Sequence, residues 1–183
     1  PLALNTFRVR DHWHTLTRTG KSPRLSQHCA EPTIDLHPAD AGDLRDGQLA
    51  SVVSRWGGAI GRVRITDSQA RGSVGMAMHW NRQFARRGAV NAAVNPAVDP
   101  ISGQPELKHT PVRVMPYEPA WHGFVLTRNP FDCSDLAYWV RSADHGFLRY
   151  EIADDLPAAE SWPALRARLG AGPWIDYRDR GSG

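Results

Sequence analysis

Asn5–Thr17 (NTFRVRDHWHTLT) packs several groups that could do chemistry into thirteen residues. The stretch holds Arg8, Arg10, Asp11, His12, His14 and Trp13 among threonines and an asparagine. Arg8 and Arg10 carry fixed positive charge on planar forks that match phosphate oxygens. Trp13 stands between two histidines, and an aromatic face beside hydrogen-bond donors suits a planar heterocycle that bears a phosphate. The stretch therefore reads as a ligand-contacting loop for an anionic, ring-bearing cofactor, against the plainer alternative of a polar surface loop. On a strand, His12 and His14 would face one side, as a metal pair does. No third ligand follows by spacing, so hydrogen bonding to a ligand or to backbone is the preferred role.

Two further places add candidates. His79-Trp80-Asn81 repeats the His–Trp pairing at the end of a strand, where the alternative is an aromatic capping a barrel mouth. Asn91, Asn95 and Lys108 lie in Asn91–Lys108, a stretch with prolines at 96, 100 and 105 that reads as an irregular, pinned loop. Polar groups on such a loop lose little freedom on binding. Lys108 and Lys21 are the chain's two lysines. No nucleophile elbow, zinc-protease helix or phosphate-loop glycine pattern occurs, so no catalytic set of the chain's own is expected.

Composition narrows the class. The 183 residues suffice for one substantial core with a small appendage. A hydrophobic fraction of 41% and a charged fraction of 22% describe an ordinary folded protein. The formal net charge of +3 is too small to argue for nucleic acid, despite the excess of arginine over lysine. Cys29 and Cys133 are far apart and outside any C-x-x-C pattern, which suggests reduced thiols and a cytoplasmic setting. No apolar run is long enough for a membrane span. The start at Pro1, with no apolar signal segment, reads as a piece of a longer polypeptide.

The elements that must position these residues are short. Strands are expected at Leu2–Val9, Thr33–Leu36, Gln48–Ser54, Ile60–Ile65, Gly72–Met78 and Val112–Met115, with Thr15–Arg24 a loop and His37–Leu44 a short helix. Asp46-Gly47 and Gly57-Gly58 signal turns. In 60–65, Arg62 and Arg64 alternate with Val63 and Ile65, the period-two pattern of a half-buried strand. The connections are too short for a doubly wound sheet, so a compact, mainly β barrel with short helices is expected. Tyr117–Gly183 holds four of the seven tryptophans and reads as an aromatic-rich appendage with a helix near Trp162–Leu169. The expected division is 1–116 and 117–183.

NTFRVRDHWHTLTRTGKSPRLS, MHW followed by Asn91, and NPAVDPISGQPELKHTPVRV together resemble the C-terminal domain of bacterial assimilatory nitrate reductases. The resemblance covers roughly residues 1–116 and weakens through Trp121–Tyr150. It implies a double-psi β-barrel that closes over a molybdopterin guanine dinucleotide cofactor in an enzyme reducing nitrate to nitrite. It further implies that Thr6, Phe7, Arg8, Val9, Arg10, Asp11, His12, Trp13, His14 and Thr15 form the principal cofactor-contacting stretch. His79, Asn91 and Lys108 match single cofactor positions. Relatives usually have glycine where this chain has Phe7, which would shift the loop or one ligand contact.

By the same resemblance, the metal's axial cysteine and a [4Fe-4S] cluster belong to an upstream region, with which this domain would pack. The full enzyme would draw on an electron-donor protein, and the isolated chain is expected to be inactive. His79-Trp80 and some of the C-terminal tryptophans are the candidates for an exposed apolar or aromatic surface facing the missing domains. The alternatives are a formate dehydrogenase or periplasmic-type nitrate reductase, or a non-catalytic β-barrel interaction module.

Overall fold

A computed structural model describes residues 1–170, 173–177 and 179. Ten strands are described: β1 (Leu2–Phe7), β2 (Thr33–Leu36), β3 (Leu49–Val53), β4 (Gly58–Ile65), β5 (Ser73–Ala77), β6 (Ala85–Arg86), β7 (Thr110–Pro116), β8 (Trp121–Thr127), β9 (Tyr138–Asp144) and β10 (Phe147–Asp154). Two α-helices accompany them, α1 (Pro23–Ser26) and α2 (Ala158–Arg168). The chain is mainly β, as expected. The six expected strands are all present, within two residues at each end.

Six strands close a barrel in the order β1-β5-β2-β4-β3-β7. Two neighbouring pairs are parallel, β1 with β5 and β2 with β4, so loops must cross the barrel ends as a double-psi barrel requires. The alternation in β4 does what its pattern implies: Ala59 and Val63 enter the core, while Arg62 and Arg64 face outward. Leu4, Ile34, Leu36, Val52, Val74 and Met76 complete a dry interior, each at 0% exposure. Burial of each such side chain contributes about 1.5–3 kcal/mol.

The region after residue 116 holds more order than an aromatic appendage. β8, β9 and β10 form an antiparallel sheet that β6 extends, in the order β6-β9-β10-β8. Tyr138, Val140 and Ala153 of this sheet share a buried cluster with Leu16, Ile60, Trp80 and Phe84 from the barrel side. The opposite face packs Tyr150 and Ile152 against Leu165 of α2, so the expected helix is present and begins four residues earlier.

Two expectations fail. His37–Leu44 is not a helix beyond a 3-10 turn at Pro38–Asp40, where His37 Nδ1 accepts from the Ala39 N–H. The expected aromatic surface is also wrong: His79 and Trp80 are 1% and 3% exposed. They are interior because the loop after β1 folds over them, with the His12 ring edge-on to Trp80 at 5.5 Å. Trp121, Trp139 and Trp162 are half-buried against the cluster of Tyr150, Ile152 and Leu165, and Trp121 donates to Ser161 Oγ at 2.8 Å. Among the described residues, the tryptophan, phenylalanine and tyrosine side chains exposed to solvent are Trp13, Trp56, Phe124 and Tyr177.

Candidate functional site

Strand register builds the site. β1 and β5 run parallel with Phe7 beside Ala77, so Val9 and His79, two residues further on, emerge side by side. β7 runs antiparallel with Leu4 opposite Thr110, which continues to place Lys108 opposite Thr6. β2 runs antiparallel to β5 with Ile34 opposite Met76, bringing the segment before β2 to the same rim. Three regions distant in sequence therefore meet where β1 ends.

The loop after β1 is anchored from below. His79 Nε2 accepts from the Val9 N–H at 2.9 Å, and its Nδ1 bonds the His14 carbonyl at 2.7 Å. Asn81 Nδ2 donates to the Thr15 carbonyl at 2.9 Å. His12 is buried and its Nε2 bonds the Cys29 carbonyl at 2.7 Å, while its Nδ1 is buried with no partner among the described residues. Burial pushes both imidazoles below their ordinary pKa, so each is neutral at pH 7. Leu16 plugs the buried cluster that Tyr138 and Trp80 share. His14 and Leu16 hold φ of 44° and 66°, left-handed backbone that disfavours an L side chain by about 1–2 kcal/mol each. The strain sits where the loop turns to present Trp13, His14 and Thr15 to solvent.

Beside the loop lies a cleft of about 570 Å³, lined by Phe7–Asp11, His28–Glu31, Thr33, Arg62 and Arg64. The Phe7 ring lies over Gly75: a Cβ there would stand 3.0 Å from the ring. The large side chain at position 7 is accommodated by that glycine across the parallel pair.

Charge in the cleft is mostly compensated. Arg62 pairs with Glu31 at 2.8 Å, and Arg64 pairs with Asp35. Arg10 grips Asp11 at 3.0 Å, and His28 Nδ1 shares the same carboxylate at 2.7 Å. These hydrogen bonds, Arg10 first, hold the Asp11 carboxyl down to about 2. The exception is Arg8, which is exposed and has no ion pair or side-chain hydrogen bond among the described residues. Thr33 Oγ1 is likewise buried without a partner at the cleft wall. An uncompensated guanidinium and an unsatisfied hydroxyl fit a phosphate-bearing ligand. Burial pushes the Cys29 thiol up to about 11, so it is no thiolate at neutral pH.

The structure thus brings Thr6–Thr15, His79 and Lys108 to one rim. Lys108 Nζ donates to the Thr6 carbonyl. Asn91 stands apart from these contacts, exposed on a 3-10 turn (Val90–Ala92) packed on β4. Sequence reasoning missed His28, Glu31, Thr33, Arg62 and Arg64 as cleft residues. The alternation of Arg62 and Arg64 was the one local signal, since the rest arrive by non-local pairing. Among the described residues no group of three or more His, Cys, Asp or Glu could hold a metal ion. No helix among them is long and apolar enough to cross a membrane.

Comparison with known proteins places this geometry. The chain is 45% identical over 157 residues to a nitrate reductase of Klebsiella oxytoca, covering 85% of this chain and 18% of that protein. It is 32% identical over 160 residues to a nitrate reductase of Shewanella frigidimarina, covering 76% of this chain and 17% of that one. An F420-dependent formate dehydrogenase subunit alpha of Methanocaldococcus jannaschii is 34% identical over 116 residues, with 62% and 16% covered. The chain therefore spans less than a fifth of the length of these relatives. Among solved structures, acetylene hydratase from Pelobacter acetylenicus shares the fold, with a TM-score of 0.55 at 17% identity over 64% of this chain and 18% of that one. Residues 2–111 match the family described as Molydopterin dinucleotide binding domain, and the chain belongs to that family.

Proposed function

We propose that this chain is the cofactor-clamping domain of a molybdenum-dependent assimilatory nitrate reductase, which reduces nitrate to nitrite with two electrons and two protons, releasing water. The 45% identity to the Klebsiella oxytoca nitrate reductase across 85% of the chain carries this reading. Residues 1–116 are the binding barrel and 117–183 the second unit, whose strands β9 and β10 buttress the barrel through the shared cluster around Tyr138 and Trp80. In this reading the rim formed by Thr6–Thr15, with Lys108 at its root, holds molybdopterin guanine dinucleotide. When bound, that cofactor supplies the redox metal to which an oxygen atom is transferred.

The chain's own residues bind and orient. Arg8, free of a carboxylate, takes phosphate oxygens, and Arg10 follows once Asp11 yields. Thr33 Oγ1 offers a hydroxyl from the wall, and the exposed Trp13 face packs on a planar ring. The braced loop backbone presents its free amides without reordering. Asn91 completes the set from the β4 side. The metal ligand and a [4Fe-4S] cluster belong to the remainder of a longer cytoplasmic polypeptide, fed by an electron-donor protein.

A second reading, a formate dehydrogenase, draws on the 34% identity to the Methanocaldococcus jannaschii subunit. Replacing the matching segment of the Klebsiella oxytoca nitrate reductase with this chain separates the two. The nitrate reductase reading expects that chimaera to retain molybdenum and reduce nitrate. A folded chimaera that holds no cofactor would overturn the clamp.

A further inference from the structure

Both ring nitrogens of His79 are committed to the backbone of the loop that carries the arginines. The Val9 N–H donates to Nε2 at 2.9 Å, so Nε2 is bare and Nδ1–H donates to the His14 carbonyl at 2.7 Å. The side chain is 1% exposed and fixed in one tautomer. One imidazole thus ties the start of the loop to its strained far end, where His14 has a φ of 44°. Asn81 extends the tie by one residue, to Thr15.

We propose that His79 is a positioning residue, which bridges Val9 and His14 so that the backbone between them, and Arg8 beside it, is already shaped for an anionic dinucleotide. This deepens the cofactor-clamp reading and rests on it for the ligand; the brace itself rests on the two hydrogen bonds. A loop held this way loses little freedom on binding. It also means that His79 acts through the loop and not through a ring nitrogen of its own on the ligand.

The brace has a chemical signature. A proton on Nε2 would face the Val9 N–H, donor against donor, and that bond would be lost. The groups facing the ring are His12, with centroids 5.7 Å apart, Trp80 at 6.4 Å, the Arg8 guanidinium and the His14 imidazole. Burial is the largest influence and outweighs the bond to the His14 carbonyl, which favours the protonated ring, so His79 lies below the ordinary imidazole value of 6.5. The folded state therefore binds fewer protons than the unfolded one. The brace is complete above pH 6.5 and is lost as pH falls through the lowered His79 value.

Amide hydrogen exchange on the 183-residue chain tests this without any ligand. His79→Gln keeps an acceptor for Val9 and a donor for His14 but cannot titrate. His79→Ala removes both. After correction for intrinsic rates, Val9 exchange should rise about tenfold in His79→Ala, the scale of one lost hydrogen bond. Protection of Val74 and Met76 in β5 should be unchanged. In the wild type, Val9 protection should hold at pH 6.5 and above and fall at whatever lower pH NMR shows the His79 ring to protonate, while His79→Gln stays flat across the same range. Equal Val9 profiles for wild type and His79→Gln across that protonation, or full Val9 protection in His79→Ala, would overturn the brace. Should His79→Ala not fold, the comparison of wild type with His79→Gln still decides. A brace seen here alongside a cofactor-free chimaera would sink the clamp reading alone.

Discussion

The Lys108 ammonium donates to the Thr6 carbonyl, and the Thr6 hydroxyl donates to the Leu107 carbonyl at 3.1 Å. Antiparallel register sets this reciprocal tie, because Leu4 opposite Thr110 extends to Thr6 opposite Lys108. Adjacent His109, at φ 62°, turns the chain into β7. Lys108 thus fastens the proline-bearing loop to the root of the arginine loop.

Lys108→Met should loosen that root. Replacing an exposed donor costs about 1 kcal/mol, the scale of one hydrogen bond. Thermal melting of the chain would show a small drop, and exchange at Thr6 would rise while the β2 and β4 amides stay protected. Lys21→Met, at an exposed position in the 3-10 turn Thr19–Lys21, should change neither.

Arg8→Ala and Asp11→Asn should move anion binding in opposite directions. Arg8 is uncompensated, so its loss should weaken pyrophosphate binding about tenfold to a hundredfold, as a charge-assisted bond of about 1.5–3 kcal/mol implies. Asp11→Asn releases Arg10 and removes a negative charge from the cleft, so affinity should rise. Calorimetry at two salt concentrations reads both, with the steeper salt dependence in Asp11→Asn.

Asp11 also gives a pH signature. Its folded pKa is depressed from 3.8 to about 2 by Arg10 and His28. The stabilisation this contact contributes is present above 3.8 and lost as pH falls through about 2. Carboxyl carbon shifts followed by NMR should show Asp11 titrating well below 3.8, and Arg10→Ala should move it back up.

Phe7 and Gly75 should behave as a pair. Gly75→Ala places a Cβ 2.9 Å from Gln69 Oε1 and 3.0 Å from the Phe7 ring, so the ring must shift. Both neighbours are side-chain ends, which keeps the loss near about 1 kcal/mol. Phe7→Gly should cost about 2 kcal/mol through lost burial and a strand glycine. In Phe7→Gly, the Gly75→Ala change should become nearly neutral. Denaturant melts of the four proteins give the coupling directly.

The barrel strands were legible because half-buried strands announce themselves: Arg62 and Arg64 alternate with Val63 and Ile65 in β4. The β8–β10 sheet was not. Tyr150 and Ile152 are buried on one face and Ala153 on the other, which erases the alternation in Phe147–Asp154. One signal was available, the Asp144-His145-Gly146 turn, where Gly146 has φ 79°. At the site, the arginine loop stood out by composition, and the family resemblance supplied the barrel type. Neither could place His28, Glu31 or Thr33, which reach the cleft only because β2 pairs with both β4 and β5. His79 and Trp80 were misjudged as surface because an aromatic pair at a strand end looks the same whether a loop covers it or not.

The most direct measurement is cofactor content in the Klebsiella oxytoca chimaera carrying Arg8→Ala, set against Arg113→Ala as control. Arg113 is exposed on β7, outside the cleft. If the rim of Thr6–Thr15 clamps the dinucleotide, Arg8→Ala should lower molybdenum and guanine content together, by about tenfold in retention. Arg113→Ala should keep both. Full cofactor in Arg8→Ala, with nitrate reduction equal to the control, would contradict the clamp.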